Sequence, residues 1–242
     1  MFSPFFHMSD SLSIRSYSRQ TVGHSHDFHQ LVLPLSGVIN IRAGEVSGKV
    51  APGECVVIRS GTEHHFTAEE QARFVVADLH ALPDNLSPAK ASVFSVSKPM
   101  SALLEFVASQ LEYRVSKQVE VSMMHTFIAV LSEQQQGHSL DLRIRNVIEY
   151  IDSRLDQPLV VSQLASVACI SATQFKKAFR EQMGQTPARY ITQLRMEKAR
   201  ALIIHTDMPM QRVAEAVGYQ DFSAFSRRFS QFFGLPPSRI LQ

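Results

Sequence analysis

The stretch Val213-Ala-Glu-Ala-Val-Gly-Tyr-Gln-Asp-Phe-Ser-Ala-Phe-Ser-Arg-Arg-Phe229, continued by Gly234-Leu-Pro-Pro-Ser-Arg239, decides how the C-terminal part of the chain folds. It holds an apolar segment, a glycine-centred turn, and an amphipathic segment closed by Gly and Pro. The same order occurs earlier. Leu164-Ala165 opens an apolar segment, and Phe179, Gly184 and Pro187 recur as Phe229, Gly234 and Pro237, each 50 residues later. Ala165 and Ala214 lie only 49 apart, so the second copy has a turn one residue longer. Each copy reads as helix, turn, helix.

In the first copy, Val160–Ala168 is the expected supporting helix. Ser171 caps the next helix, and Ser171-x-x-Gln174 forms a capping box. Helical spacing turns Phe175, Phe179 and Met183 inward and leaves Thr173, Lys176, Lys177 and Arg180 on the opposite face. Gly184 stops this helix, and Pro187 starts a long one reaching about His205, with Ile191, Leu194, Ala199, Ala201 and Leu202 inward.

In the second copy, Pro209–Val217 supports, Gly218-Tyr219-Gln220 turns, and Asp221 caps. Phe225, Phe229 and Phe232 are expected inside, with Ser223, Ala224, Ser226 and Arg227 outside. Small side chains on that outer face allow close approach to base edges. Arg227 suits a bidentate contact to guanine, and the flanking Arg228 suits a phosphate.

Charge agrees with a polyanionic partner. Residues 139–242 hold 14 Lys/Arg against 9 Asp/Glu, whereas residues 1–138 hold 10 against 13. Cys55 and Cys169 both sit among apolar neighbours and read as reduced core residues. The first residues carry no basic segment followed by a long apolar run, so no leader or membrane partner is expected and the expected location is cytoplasmic.

With these motifs in place, residues 144–241, about two-fifths of the chain, resemble the AraC/XylS family of bacterial transcription regulators. The second-unit pattern is the stretch quoted first. The first-unit pattern is Leu164-Ala165, Ser171, Phe175 to Phe179, Gly184, Pro187, Tyr190, Arg195 and Ala199. The resemblance implies that each second helix enters a major groove. It carries over Thr173, Lys176 and Lys177, then Phe222, Ser223, Ala224, Ser226 and Arg227, as base-facing positions. It also implies double-stranded promoter DNA as partner, with RNA polymerase as a further partner of an activator. Two positions depart from the pattern. Val160 replaces a Ser or Thr cap, a loss of roughly 1 kcal/mol at that helix start, and Cys169 replaces a frequent Gly in the first turn.

Residues 12–80 are strand-like, with short apolar segments at 31–35, 38–41, 55–58 and 73–77, pointing to a small β-sandwich or barrel. Ala81–Ser95 reads as a crossing segment. Helical spacing returns over 99–115, through Met100, Leu103, Leu104, Val107, Leu111 and Val115, and over 118–134. In the latter, Met123, Met124, Phe127, Ile128, Val130 and Leu131 exceed one buried stripe. That surface faces either a partner subunit or the monomer's own core. The polar run 133–139 is the expected linker.

His24-x-His26 with Gln30 and Gly37, followed by Pro52-Gly53, Gly61 and His64, resembles the two motifs of the cupin fold, with Arg59 in place of Pro and Ala68 in place of the final Asn. His24, His26 and Gln30 share strand parity, and His64 comes from a second strand, whereas His29 and His65 have the opposite parity. These four residues are the candidate effector site. As ligands they would suit a divalent transition metal, Zn, Fe or Ni. The neutral Gln30, where metal cupins carry Glu, binds a cation less well, favours a pocket without metal and supplies no general base.

The expected class is therefore α+β in two domains. A cupin-like β-barrel sensor spans 1–95, a helical dimerisation segment 96–134, a linker 135–142, and an all-α double helix-turn-helix domain 143–242. The function expected is effector-controlled, sequence-specific transcription regulation by a homodimer without enzymatic activity. The alternative is a metal-dependent cupin enzyme, dioxygenase or isomerase in type, carrying a DNA-binding domain.

Overall fold

The computed structural model describes residues 10–16, 23–44, 46–68, 72–86, 92–112, 116–134 and 140–240. The chain divides into two compact units, Met1–Asp141 and Leu142–Gln242.

The first unit contains β1 (Ser11–Ser16), β2 (His29–Ser36), β3 (Ile39–Ala43), β4 (Val46–Val50), β5 (Glu54–Ile58), β6 (His64–Ala68), β7 (Arg73–Leu79) and β8 (Val93–Ser95). Helices α1 (Lys98–Leu111) and α2 (Lys117–Ser132) follow. The strands form a five-stranded sheet in the order β1-β7-β2-β5-β8 and a three-stranded sheet in the order β4-β3-β6. Strand parity explains the layers. Val32, Val56, Ile58, Phe74 and Val76 share a core with Ile39, Ile41 and Phe66 of the small sheet. Their neighbours of opposite parity, Leu31, Leu33, Cys55, Val57, Val75 and Ala77, pack with Met100, Val107, Met124, Phe127 and Leu131 of the two helices. The large sheet is thus covered on both faces, which is why its central strands read as continuous apolar runs. The small sheet keeps one face wet, with Asn40 and Arg42 exposed between buried Ile39, Ile41 and Ala43.

Two expectations change here, and one pair of alternatives is narrowed. Among the described residues the strands make two sheets, not one closed barrel. The break has a local cause. Pro34 offers no N–H to the ladder, the register shifts between Pro34 and Ser36, and Gly37 at φ 72° turns the chain towards the second sheet. A Cβ at Gly37 would stand 2.9 Å from the Ala72 Cβ, so the turn also needs the bare backbone. The segment expected as a plain crossing contains β8, antiparallel to β5 through Cys55↔Phe94. Finally, the broad apolar surface of α2 is occupied within its own unit: Met123, Met124, Phe127, Ile128 and Leu131 are all buried in the core shared with the large sheet. Val115 and most of the 135–142 linker lie outside the described residues.

The second unit is helical: α3 (Leu142–Asp152), α4 (Val161–Val167), α5 (Ala172–Met183), α6 (Pro187–His205), α7 (Met210–Ala216) and α8 (Phe222–Phe233). Ile144, Val147, Ile148 and Ile151 form the buried face of α3. The long α6 packs against α5, α7 and α8 and so joins the two repeated pairs. Its buried face holds Tyr190, Ile191, Leu194, Met196, Ala199 and Ile203, whereas Ala201 and Leu202 are only partly covered. Among the described residues no helix is long and apolar enough to cross a membrane.

Candidate nucleic-acid interface

Each repeated pair ends in a helix with one apolar and one cationic face. In α5, Phe175 and Phe179 are fully buried, and Phe179 meets the Tyr190 ring edge-on at 5.5 Å. Burying such rings contributes on the order of 2–3 kcal/mol each. Met183 is only partly covered, against the inward position expected of it. Thr173, Lys176, Lys177 and Arg180 are all exposed on the opposite face. The helix start is held by the expected box: Ser171 Oγ accepts from Gln174 N at 3.3 Å, and Gln174 Oε1 accepts from Ser171 N at 3.2 Å. Gly184 ends it in the left-handed conformation.

The start of α4 is bare by comparison. Val160 is its N-cap, makes no side-chain cap bond, and is itself 54% exposed. Cys169, expected in the core, is exposed in the first turn, at φ 54°.

In α8, Asp221 accepts from Ser223 N at 2.9 Å and Ala224 N at 3.2 Å, satisfying two free donors of the first turn. Phe225 and Phe229 are buried in a core with Met196, Ala199, Val213 and Ala214. Phe232, expected inside, is 40% exposed, and Phe233 takes its place against Phe229 at 4.7 Å. Four residues from Phe229 is the closer match to the helical period than three, and α6 offers Arg200 over the Phe233 ring. Phe222, Ser223, Arg227 and Arg228 are exposed, and Ala224 and Ser226 partly so. All ten residues expected to meet DNA therefore lie on the outward faces of α5 and α8. Among the described residues only Lys177 of their cations has a carboxylate near, Glu181 at 4.0 Å.

In the first unit the histidines converge in part. His24 and His64 form an isolated antiparallel bridge, with rings 4.3 Å apart, and His26 lies 4.9 Å from His64. His64 is completely buried. Its Nδ1 faces Thr62 O at 2.9 Å, and His26 Nδ1 faces Phe28 O at 2.7 Å. A carbonyl only accepts, so both rings carry a proton on Nδ1, and in the neutral ring Nε2 is the acceptor. Both Nε2 atoms are buried without a hydrogen-bond partner among the described residues. Burial holds His64 below the ordinary value of 6.5, only partly opposed by the Thr62 carbonyl, and His24 and His26 add to the lowering.

Gln30 does not complete a metal set with these rings: its amide nitrogen donates to Asp78 Oδ1 at 2.7 Å. Among the described residues no group of three or more His, Cys, Asp and Glu side chains is placed to hold a metal ion. The metal set expected of His24, His26, Gln30 and His64 is thus not assembled among the described residues. His29 and His65 turn elsewhere, as parity requires, to Ser60 N and Glu63. A separate cavity of about 650 Å³ lies between the start of α1 and the end of α2, lined by Val96, Pro99, Ala129, Val130 and Gln134 among others. Its walls come from segments some thirty residues apart, so no local pattern of residues marks it.

Residues 164–242 match the helix-turn-helix domain family. The uncharacterized HTH-type transcriptional regulator YobQ of Bacillus subtilis is 27% identical, over 92% of this chain and 90% of its own. The probable transcriptional regulator LumQ of Photobacterium leiognathi is 25% identical over 95% of each. The HTH-type transcriptional activator RhaS of Escherichia fergusonii is 22% identical over 90% of this chain and 87% of its own. These relatives extend through both units and are named as regulators, which sets the enzyme alternative aside. With its two helix-turn-helix units, the chain is a sequence-specific DNA-binding transcription regulator.

Proposed function

We propose that α5 and α8 enter successive major grooves on one face of promoter DNA. The supporting observation is the pair of amphipathic helices with outward cations, joined by the single helix α6. Thr173, Lys176 and Lys177 then meet bases in one groove, and Phe222, Ser223, Ala224, Ser226 and Arg227 in the next, with Arg180 and Arg228 on phosphates. One chain would cover an asymmetric site of roughly two helical turns, bent where α6 is too short for straight DNA. Footprinting on genomic fragments captured by the protein tests this. Protection of both grooves is expected, and protection of a single groove overturns it. Affinity should also fall steeply with salt.

The first unit is, in this reading, a cupin-like sensor of a small molecule. The support is the two buried, unpartnered Nε2 acceptors of His26 and His64 beside His24. Such a pair suits hydroxyl or ammonium donors, and Gln30 fixes the neighbouring Asp78. A second reading places the effector in the 650 Å³ cavity, favoured by its position at the end of α2, just before the linker. A promoter reporter separates the two. Loss of induction in His24→Ala/His64→Ala supports the histidine site, and loss only in Ala129→Phe supports the cavity.

The regulator would act in the cytoplasm, as an activator with RNA polymerase as partner, and as a homodimer through 96–134. The half-exposed Phe106 on α1 is the feature left for that contact. Sedimentation of Phe106→Glu tests it, with monomer expected from the variant and dimer from the parent.

A further inference from the structure

We propose that Arg195 is a positioning residue for DNA recognition, fixing the separation of α5 and α8 by tying the segment before α4 to the turn before α8. Arg195 lies midway along α6. Its Nε donates to Leu155 O at 3.0 Å and its Nη2 to Gln157 O at 2.6 Å, both in the segment between α3 and α4. Its Cζ also stands 5.7 Å from the centre of the Tyr219 ring, and Tyr219 packs on Phe225 of α8 at 5.8 Å. Gly218 closes the joint. At φ 80° its backbone lies so near that a Cβ would stand 2.6 Å from both Arg195 Nη2 and Leu155 O.

One guanidinium therefore touches the segment leading into the first repeated unit, the connecting helix and the turn of the second. The fork of donors matters here. A lysine offers a point charge and cannot hold two carbonyls in fixed directions while lying over a ring. Packing along α6 keeps each unit folded. The joint resists rotation of one unit about α6 relative to the other, and groove recognition depends on that angle.

This inference rests on the reading that both helices contact DNA, and the test separates the two. Full-length protein selects a duplex of roughly three helical turns from a randomised pool. Affinity is then measured for that duplex and for versions with one or two base pairs inserted between the subsites. Each insertion rotates the far subsite by about 34°. The parent protein should lose about tenfold or more per insertion, because base contacts of one helix are lost. Arg195→Lys should bind the original duplex more weakly and show a penalty of about threefold or less. Gly218→Ala, which disturbs the same joint with Arg195 present, should shrink the penalty too and decides the matter if Arg195→Lys does not fold.

A merely structural role would weaken all duplexes alike. A folded Arg195→Lys with the full insertion penalty therefore overturns the inference while leaving two-groove recognition intact. A parent protein indifferent to insertion overturns both.

Discussion

Cys169 and Gly218 occupy the same point of the two turns, and only one of them is a glycine. Both have positive φ, 54° and 80°. Cys169 N donates to Ser166 O and Gly218 N to Glu215 O, each at 3.0 Å. Ile170 N then bonds Ala165 O at 3.1 Å, and Tyr219 N bonds Ala214 O at 2.9 Å. The offset of 49 grows to 50 at the caps Ser171 and Asp221, so the extra residue sits just before the second cap.

Cys169→Gly should therefore stabilise the second unit. A side chain in the left-handed region costs about 1–2 kcal/mol, part of which glycine returns as greater freedom of the unfolded chain. A net gain of about 1 kcal/mol is expected, seen as a rise of several degrees in the melting of the second unit. Unchanged or lower melting would show that the turn carries no strain at Cys169.

Helix caps give a contrasting pair. Val160 makes no cap bond, whereas Asp221 makes two. Val160→Ser should gain about 1 kcal/mol, and Asp221→Ala should lose about 0.5–2 kcal/mol and weaken DNA binding, because it frays the first turn of α8. Chemical denaturation measures both. Equal and small effects would mean that these helix starts are set by packing alone.

Arg227 and Arg228 are neighbours with different expected roles. Arg227→Ala should cost about 1–3 kcal/mol and relax the preference at one base pair, whereas Arg228→Ala should weaken all sequences alike and lower the salt dependence. Affinities for single-base variants of a selected site provide the comparison. If both substitutions behave identically, the orientation assigned to α8 is wrong.

The second unit was readable because its signals are local: caps at Ser171 and Asp221, stops at Gly184 and Gly234, and a repeat that fixed the phase of both apolar faces. Phe232 and Phe233 show the limit, since adjacent phenylalanines both suit the helical period and contact with α6 chooses between them. The first unit was less readable. Alternation revealed strands but not which sheet each joins, and the three-residue β8 is held by pairing with β5 rather than by any pattern of its own. Parity correctly brought His24, His26 and His64 together, but not the bond that turns Gln30 towards Asp78, which needs a third strand. Arg195 belonged to the quoted pattern, yet its partners are backbone carbonyls some forty residues away, which leave no mark in side-chain sequence.

The buried His64 predicts how the first unit responds to acid. Burial lowers its folded value below 6.5, and His29 is lowered in the same direction by burial, Arg59 and His26. Above 6.5 both rings are neutral in the folded and unfolded chains alike, so neither contributes a pH slope. As pH falls through 6.5 the unfolded chain binds protons that the folded chain still refuses, and stability declines until the lowered folded values are reached. The unfolding midpoint of the first unit in urea should therefore fall between about pH 7 and pH 5.5. His64→Gln removes one of the two groups and should make that decline shallower, even where it lowers stability at neutral pH. Urea titrations at several pH values, followed by a probe in the first unit, provide the measurement. A midpoint that rises on acidification would mean that His64 is stabilised as the cation, with a proton on Nε2 as well as on Nδ1, which would remove the free acceptor on which the sensing site depends.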